Sequence, residues 1–185
     1  MIVVAARGEA SEPVMSCFAA AVRNAVRYAD PISWTGATAA ALALKELGEA
    51  IGPMRAAIGV IAMSNDGPAQ AIAAVAEASA AGFSSPLKYP AANPGSLAGV
   101  TCITQELHGP TMNLTMPVEV AIPVGLMLAR GWVERGVCPL VVLVAARRGR
   151  ARCLVVGQSG GEALKSGAWL AMGTEGADLT ESDKI

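Results

Sequence analysis

The stretch HGPTMNLTMPVEVAIPVGLML, residues 108–128, decides how this chain is read. Gly109-Pro110 makes a tight turn and TMNLT suits a short strand. Pro117 then fits the first turn of a helix, where a missing N–H costs nothing. A strand running into a helix start is a corner on which enzymes mount nucleophiles, because the N–H groups there favour an anion. Here the corner carries Met116, Pro117 and Val118, none of which can act as nucleophile, acid or base.

Outward from that corner, strand and helix signals alternate. Met1–Ala6 is a short apolar run suited to a buried strand, and a helix is expected from Ser11 to Tyr28, with Ser11 as cap and Val14, Phe18, Val22 and Ala25 at helical spacing. Asp30-Pro31 reads as a break before a second helix over about Gly36–Ala50. AAIGVIAMS (56–64) and CPLVVLVAA (138–146) are continuous apolar runs, the pattern of strands covered on both faces. Between them lie a helix capped at Asn65 or Asp66 and ending near Gly82, and another starting at Asn93-Pro94 and stopping at Gly109. ARRGRARCLVVG reads as a hairpin turning at Arg148-Gly149. The expected fold is α/β: a mixed, mostly parallel sheet with helices on its faces and a closing antiparallel hairpin. Residues 1–157 form the domain, and 158–185 a Gly- and Ser-rich tail, partly disordered at its end.

Composition narrows the functions. The 185 residues are 53% hydrophobic and only 16% charged, against a usual charged share of about 25%. A chain of this length buries about 70% of its unfolded surface. With a mean hydropathy of +0.46, either the core is unusually large or a partner covers apolar surface. Fourteen basic against fifteen acidic residues, without a basic run, leave no footprint for nucleic acid. The most apolar segment, Val120–Ala146, is interrupted by Arg130, Glu134 and Arg135, so no membrane span is expected. The N-terminus lacks the basic start of a signal peptide, and a cytoplasmic protein is expected.

The chemical motifs are few. There is no GxGxxG after a strand, no phosphate-binding GxxxxGK[ST] and no GxSxG, and QSGGEALKSG (158–167) reads as a plain turn. The four cysteines, Cys17, Cys102, Cys138 and Cys153, are scattered singly. With one histidine no metal set can be assembled, and neither metal nor cofactor is expected. His108, before Gly-Pro, can simply hydrogen-bond carbonyls at a helix end, and Glu119 complements the positive start of its helix. The rival role for them is acid–base work, His108 acting with Glu119 or with Cys102. Trp34, Trp132 and Trp169 are expected to pack.

From about Ser33 to Gly157 the order of segments resembles the N-terminal half of β-ketoacyl synthases, condensing enzymes of the thiolase fold. The resemblance rests on IGVIAMSNDGP, on FSSPLKYPAANPGSLAGVTCITQELHGPTMNL with its Pro-containing loop, helix and Gly-Pro strand, and on WVERGVCPLVVLVAARR. It is similar above all to the short synthase-like domains of aryl-polyene and type II polyketide systems. The resemblance implies half of a thiolase-like fold, with Val118 at the position of the nucleophilic cysteine and the histidines of condensation in an absent C-terminal half. Chain-length factors, synthase relatives without the cysteine, are the precedent. It further implies pairing, as a homodimer or as a heterodimer with a full-length ketosynthase, through Met112, Leu114, Val118, Ile122 and Leu126, with acyl carrier protein as a further partner. Three functions stay open: a non-catalytic partner subunit in polyketide or fatty-acyl biosynthesis, a small enzyme on acyl thioesters (decarboxylation, dehydration or acyl transfer), and a self-associating remnant without acyl contact.

Overall fold

The continuous apolar runs become the centre of a six-stranded sheet. In chain order the elements are β1 (Val3–Ala10), α1 (Ala20–Ala25), α2 (Pro31–Glu46), β2 (Gly59–Met63), α3 (Ala69–Ala80), α4 (Ser96–Gln105), β3 (Thr111–Leu114), α5 (Val118–Glu134), β4 (Leu140–Arg147), β5 (Arg150–Gly157) and β6 (Glu162–Ala163). The computed structural model describes residues 2–83, 85–158 and 162–163. Most of the expected tail, with Trp169 and most of the plain turn expected over 158–167, lies outside the described residues; within that stretch Glu162–Ala163 form β6.

The strand order is β3-β2-β4-β5-β1-β6. β2 is parallel to both β3 and β4, whereas β4–β5, β5–β1 and β1–β6 are antiparallel. The expected mixed sheet and closing hairpin are present. "Mostly parallel" holds for strand direction, with four of six strands pointing one way, but three of the five ladders are antiparallel. The physical reason is the hairpin: β5 returns beside β4 and separates it from β1.

Alternation along the central strands divides the core. Val60, Ala62, Val142 and Val144 face Ala39, Ala43 and Leu97 on α2 and α4. Ile61, Met63, Val141 and Leu143 face Ala121, Ile122 and Ala129 on α5. Both faces of β2 and β4 are covered, so neither strand needs a polar face. The approach of α2 is close: a Cβ at Gly8 of β1 would lie 2.7 Å from the Ala43 nitrogen and nearer still to the Ala39 carbonyl oxygen.

Several element boundaries differ from expectation. β1 runs to Ala10, because Arg7 and Glu9 sit on accessible positions of a strand paired across to β5. The expected helix over 11–28 is a 3-10 turn at Met15–Cys17 and the six-residue α1. Phe18 separates them in extended conformation and turns inward against Trp34, ring centroids 5.3 Å apart. Asp30-Pro31 does not break a helix but starts α2: the Asp30 carboxylate accepts from the Ile32 N–H at 3.0 Å and Pro31 takes the first helical position. Asp66 does not cap α3; its carboxylate accepts from the Arg148 N–H at 2.9 Å and fastens the β2–α3 loop to the hairpin.

α4 starts two residues later than Pro94 and ends before Gly109. Glu106, at φ 55°, takes the left-handed conformation that stops it and sends Leu107 into the core. Gly109 serves another need: its N–H donates to the Ile58 carbonyl at 3.2 Å, and a Cβ there would collide with that peptide group.

Candidate functional site

Parallel strands gather their C-terminal ends on one edge of the sheet, the edge where open α/β sheets bind ligands. Here β2, β3 and β4 end beside the start of α5. The Ser64 N–H donates to Leu114 O at 3.1 Å, and the Ser64 hydroxyl accepts from the Gly67 N–H at 3.1 Å, closing the loop after β2. α5 begins without a side-chain cap, and its first hydrogen bonds run from the Val120 and Ala121 N–H groups to Pro117 O, 2.9 Å each. The N–H groups ahead of them stand at the open, positive end of the helix.

Val118 is the first residue of this helix. Its side chain is 8% exposed and packs with Ile61, Met63 and Ile122. The first position of the helix is filled by an apolar side chain belonging to the core.

The other candidates do not converge on it. Glu119 is ion-paired with Arg147 at the end of β4, both side chains about half exposed (51% and 49%). His108 is exposed and precedes β3, whereas Glu119 follows it. The four residues of β3, at about 3.3 Å each, hold the two more than ~10 Å apart. Cys102 packs against the cluster of α2 and α4, on the opposite face of the sheet from α5. Burial pushes its thiol up to about 11, which disfavours the thiolate. Cys138 and Cys153 are buried and raised in the same way, and Cys17 is exposed. Among the described residues no group of three or more His, Cys, Asp or Glu could hold a metal ion. Nor is any described helix long and apolar enough to cross a membrane.

The residues expected at an interface divide. Met112 and Leu114 on the edge strand β3 are half-buried. Val118, Ile122 and Leu126 face the sheet of their own chain and are at most 9% exposed, because the stripe they form is the one that holds α5 to β2 and β4. What α5 turns outward is a second apolar stripe, Val120 (56% exposed), Pro123 and Met127 (65% exposed).

Sequence reasoning missed the charged frame around the corner. Arg150 donates to the Glu9 carboxylate at 2.6 Å, Arg152 approaches it at 3.4 Å, and Arg147 holds Glu119. Partial burial alone would raise the Glu9 carboxyl; the Arg150 hydrogen bond and the Arg152 and Arg150 charges outweigh it and hold it below its ordinary value. The four arginines of RRGRAR (147–152), a short basic run that the expectation of none overlooked, were the available signal, but their partners stand far away in the chain.

No family model and no curated protein sequence matches this chain. Solved structures do. The ishigamide ketosynthase/chain length factor superposes with a TM-score of 0.67 at 13% identity, covering 85% of this chain and 62% of that one. The chain has a ketosynthase-like fold. A β-ketoacyl synthase from Burkholderia phymatum STM815 gives a TM-score of 0.68 at 13% identity, over 85% of this chain and 59% of that one. A ketosynthase in complex with its chain length factor, from Xenorhabdus doucetiae, gives 0.61 at 12% identity, over 86% and 80%. The chain spans about three-fifths of the first and second of these, so what it carries is a partial thiolase-like fold.

Proposed function

We propose that the protein is a non-catalytic ketosynthase-like partner subunit in polyketide or fatty-acyl biosynthesis, working in the cytoplasm as a half domain over residues 1–157 followed by a tail over 158–185. The observation that carries this reading is Val118: the head of the helix that a ketosynthase would use for its nucleophile holds a core valine. The acyl-thioester enzyme has no comparable support, since Glu119 is engaged by Arg147 and neither His108 nor Cys102 shares its corner.

Pairing is supported by surface. β3 is a sheet edge, whose unpaired backbone groups can accept a strand, and the outward face of α5 is apolar. The partner in this reading is a second copy or a full-length ketosynthase, with acyl carrier protein as a further contact. Among the structural neighbours, one is a ketosynthase in complex with its chain length factor and another a type II acyl-carrier protein in complex with its ketosynthase.

Native mass spectrometry of the protein gently isolated from its own host tests the proposal. A complex with a ketosynthase, lost on Met127→Asp, is the expected result. A monomer, or an oligomer indifferent to charge on the outer α5 face and on the β3 edge, would refute it.

A further inference from the structure

A second concave surface lies on the other side of the molecule from α5. A cavity of about 620 Å³ opens between α4, residues 24–29 and the loop over 86–91. Its walls are mainly apolar, with Val26, Tyr28, Leu87, Pro90, Val100 and Ile103 among them. Three of these are well exposed, Tyr28 at 41%, Leu87 at 61% and Ile103 at 50%, and no described residue covers them. The volume lies within the range of about 300–1,000 Å³ common for small-molecule sites.

Gly99 of α4 lines this cavity, and a Cβ there would meet nothing within 4 Å. Glycine weakens a helix interior, so it calls for a reason. At Gly36 and Gly125 the reason is internal packing, since a Cβ would press on Leu97 or on Met63. At Gly99 no neighbour requires the missing side chain; its absence only deepens the cavity. One lining residue is charged: Arg27, whose guanidinium lies 4.8 Å from the Tyr28 ring centre. Among the described residues no carboxylate lines the cavity to balance it.

We infer that this cavity binds a small amphiphile, its apolar chain lying over Gly99 between Val100, Ile103 and Leu87 and its anionic head at Arg27. Shape and chemistry agree on that class: an open apolar cleft takes a flexible chain, and a single unbalanced guanidinium selects an anion over a neutral or cationic head. The site lies on the α4 side of the sheet, so the inference does not rest on the pairing proposed for α5.

Calorimetric titration of the full chain with decanoate, decanol and decyltrimethylammonium, each below its micelle concentration, tests it. Decanoate is expected to bind at least ten times more tightly than decanol, and the ammonium not at all. Gly99→Leu fills the cavity and should weaken decanoate at least tenfold while the melting temperature is kept. Ile103→Glu, at a half-exposed wall position, should do the same if the leucine variant folds poorly. Arg27→Gln should abolish the preference for decanoate and leave decanol binding. No binding of decanoate up to millimolar concentration, equal affinity for acid and alcohol, or wild-type binding by folded Gly99→Leu would each overturn the inference. So would Gly99→Leu dissociating an oligomer that decanoate leaves untouched, which would assign the cavity to a second copy.

Discussion

Replacing Gly8 by alanine tests the closest approach in the fold, that of α2 onto β1. The added methyl would stand 2.7 Å from the Ala43 nitrogen and 3.1 Å from the Ala43 Cβ, and closer to the Ala39 carbonyl oxygen. These are mainly backbone atoms of a buried helix, whose Ala39, Ala40 and Ala43 are wholly inaccessible, so no side chain can rotate away. Overpacking of a core costs about 1–3 kcal/mol, and an obstacle made of backbone places this substitution near the upper end, about 3 kcal/mol. For a chain of this length each kcal/mol moves Tm by about 2–4 °C, so a fall of roughly 6–12 °C is expected. Gly99→Ala is the matched control. Its methyl enters open space, so the helix should gain up to ~1 kcal/mol and Tm should rise by about 2–4 °C. Circular dichroism melts and urea titrations of the three proteins give the comparison. A Gly8→Ala protein melting within about 2 °C of wild type would show that α2 does not rest on β1 as described.

Further outcomes follow from the ion pairs around the α5 corner and from the four thiols. Glu9, held below its ordinary value of 4.5 by Arg150 and Arg152, contributes stability that is present above that value and lost as pH falls through the lowered one. Acid titration of wild type against Glu9→Gln should show the difference between them shrinking below about pH 4.5; a constant difference would remove the ion pair from the account. Since both side chains are about half exposed, breaking Glu119–Arg147 by Glu119→Gln should cost under ~1 kcal/mol in urea unfolding. A larger loss would mean that Glu119 has a second partner. Iodoacetamide at pH 8 should label Cys17 first. Cys102, raised to about 11 by burial, and buried Cys138 and Cys153 should react only on unfolding. Rapid labelling of Cys102 would restore it as a candidate nucleophile.

The parts of the fold legible in the sequence are those with local causes. The runs over 59–63 and 140–146 carry no polar side chain because both faces are covered. The Arg148-Gly149 turn and the strand-to-helix corner at Pro117 carry their own turn chemistry. Asp30-Pro31 was legible too, since an N-cap followed by proline is the ordinary start of a helix, yet it also reads as a break. The segment after Ser11 shows where periodicity fails: one aromatic, Phe18, gains more by packing on Trp34 than the helix gains by continuing.

For the candidate site, the sequence alone determined the chemistry of the helix head: with Val118 there, no thiol, hydroxyl or imidazole stands at that position, whatever the packing. Only the tertiary structure decided what surrounds that head. Which stripe of α5 meets the sheet depends on how α5 lies over β2 and β4, and this turned Val118, Ile122 and Leu126 inward and Val120 and Met127 outward. Arg147 reaches Glu119, and Arg150 reaches Glu9, because the sheet brings together strands whose sequence separation carries no signal of contact. The separation of His108, Cys102 and Glu119 has the same origin: residues within 18 positions of one another lie at different ends and faces of the sheet because the end of α4 and the strand β3 stand between them.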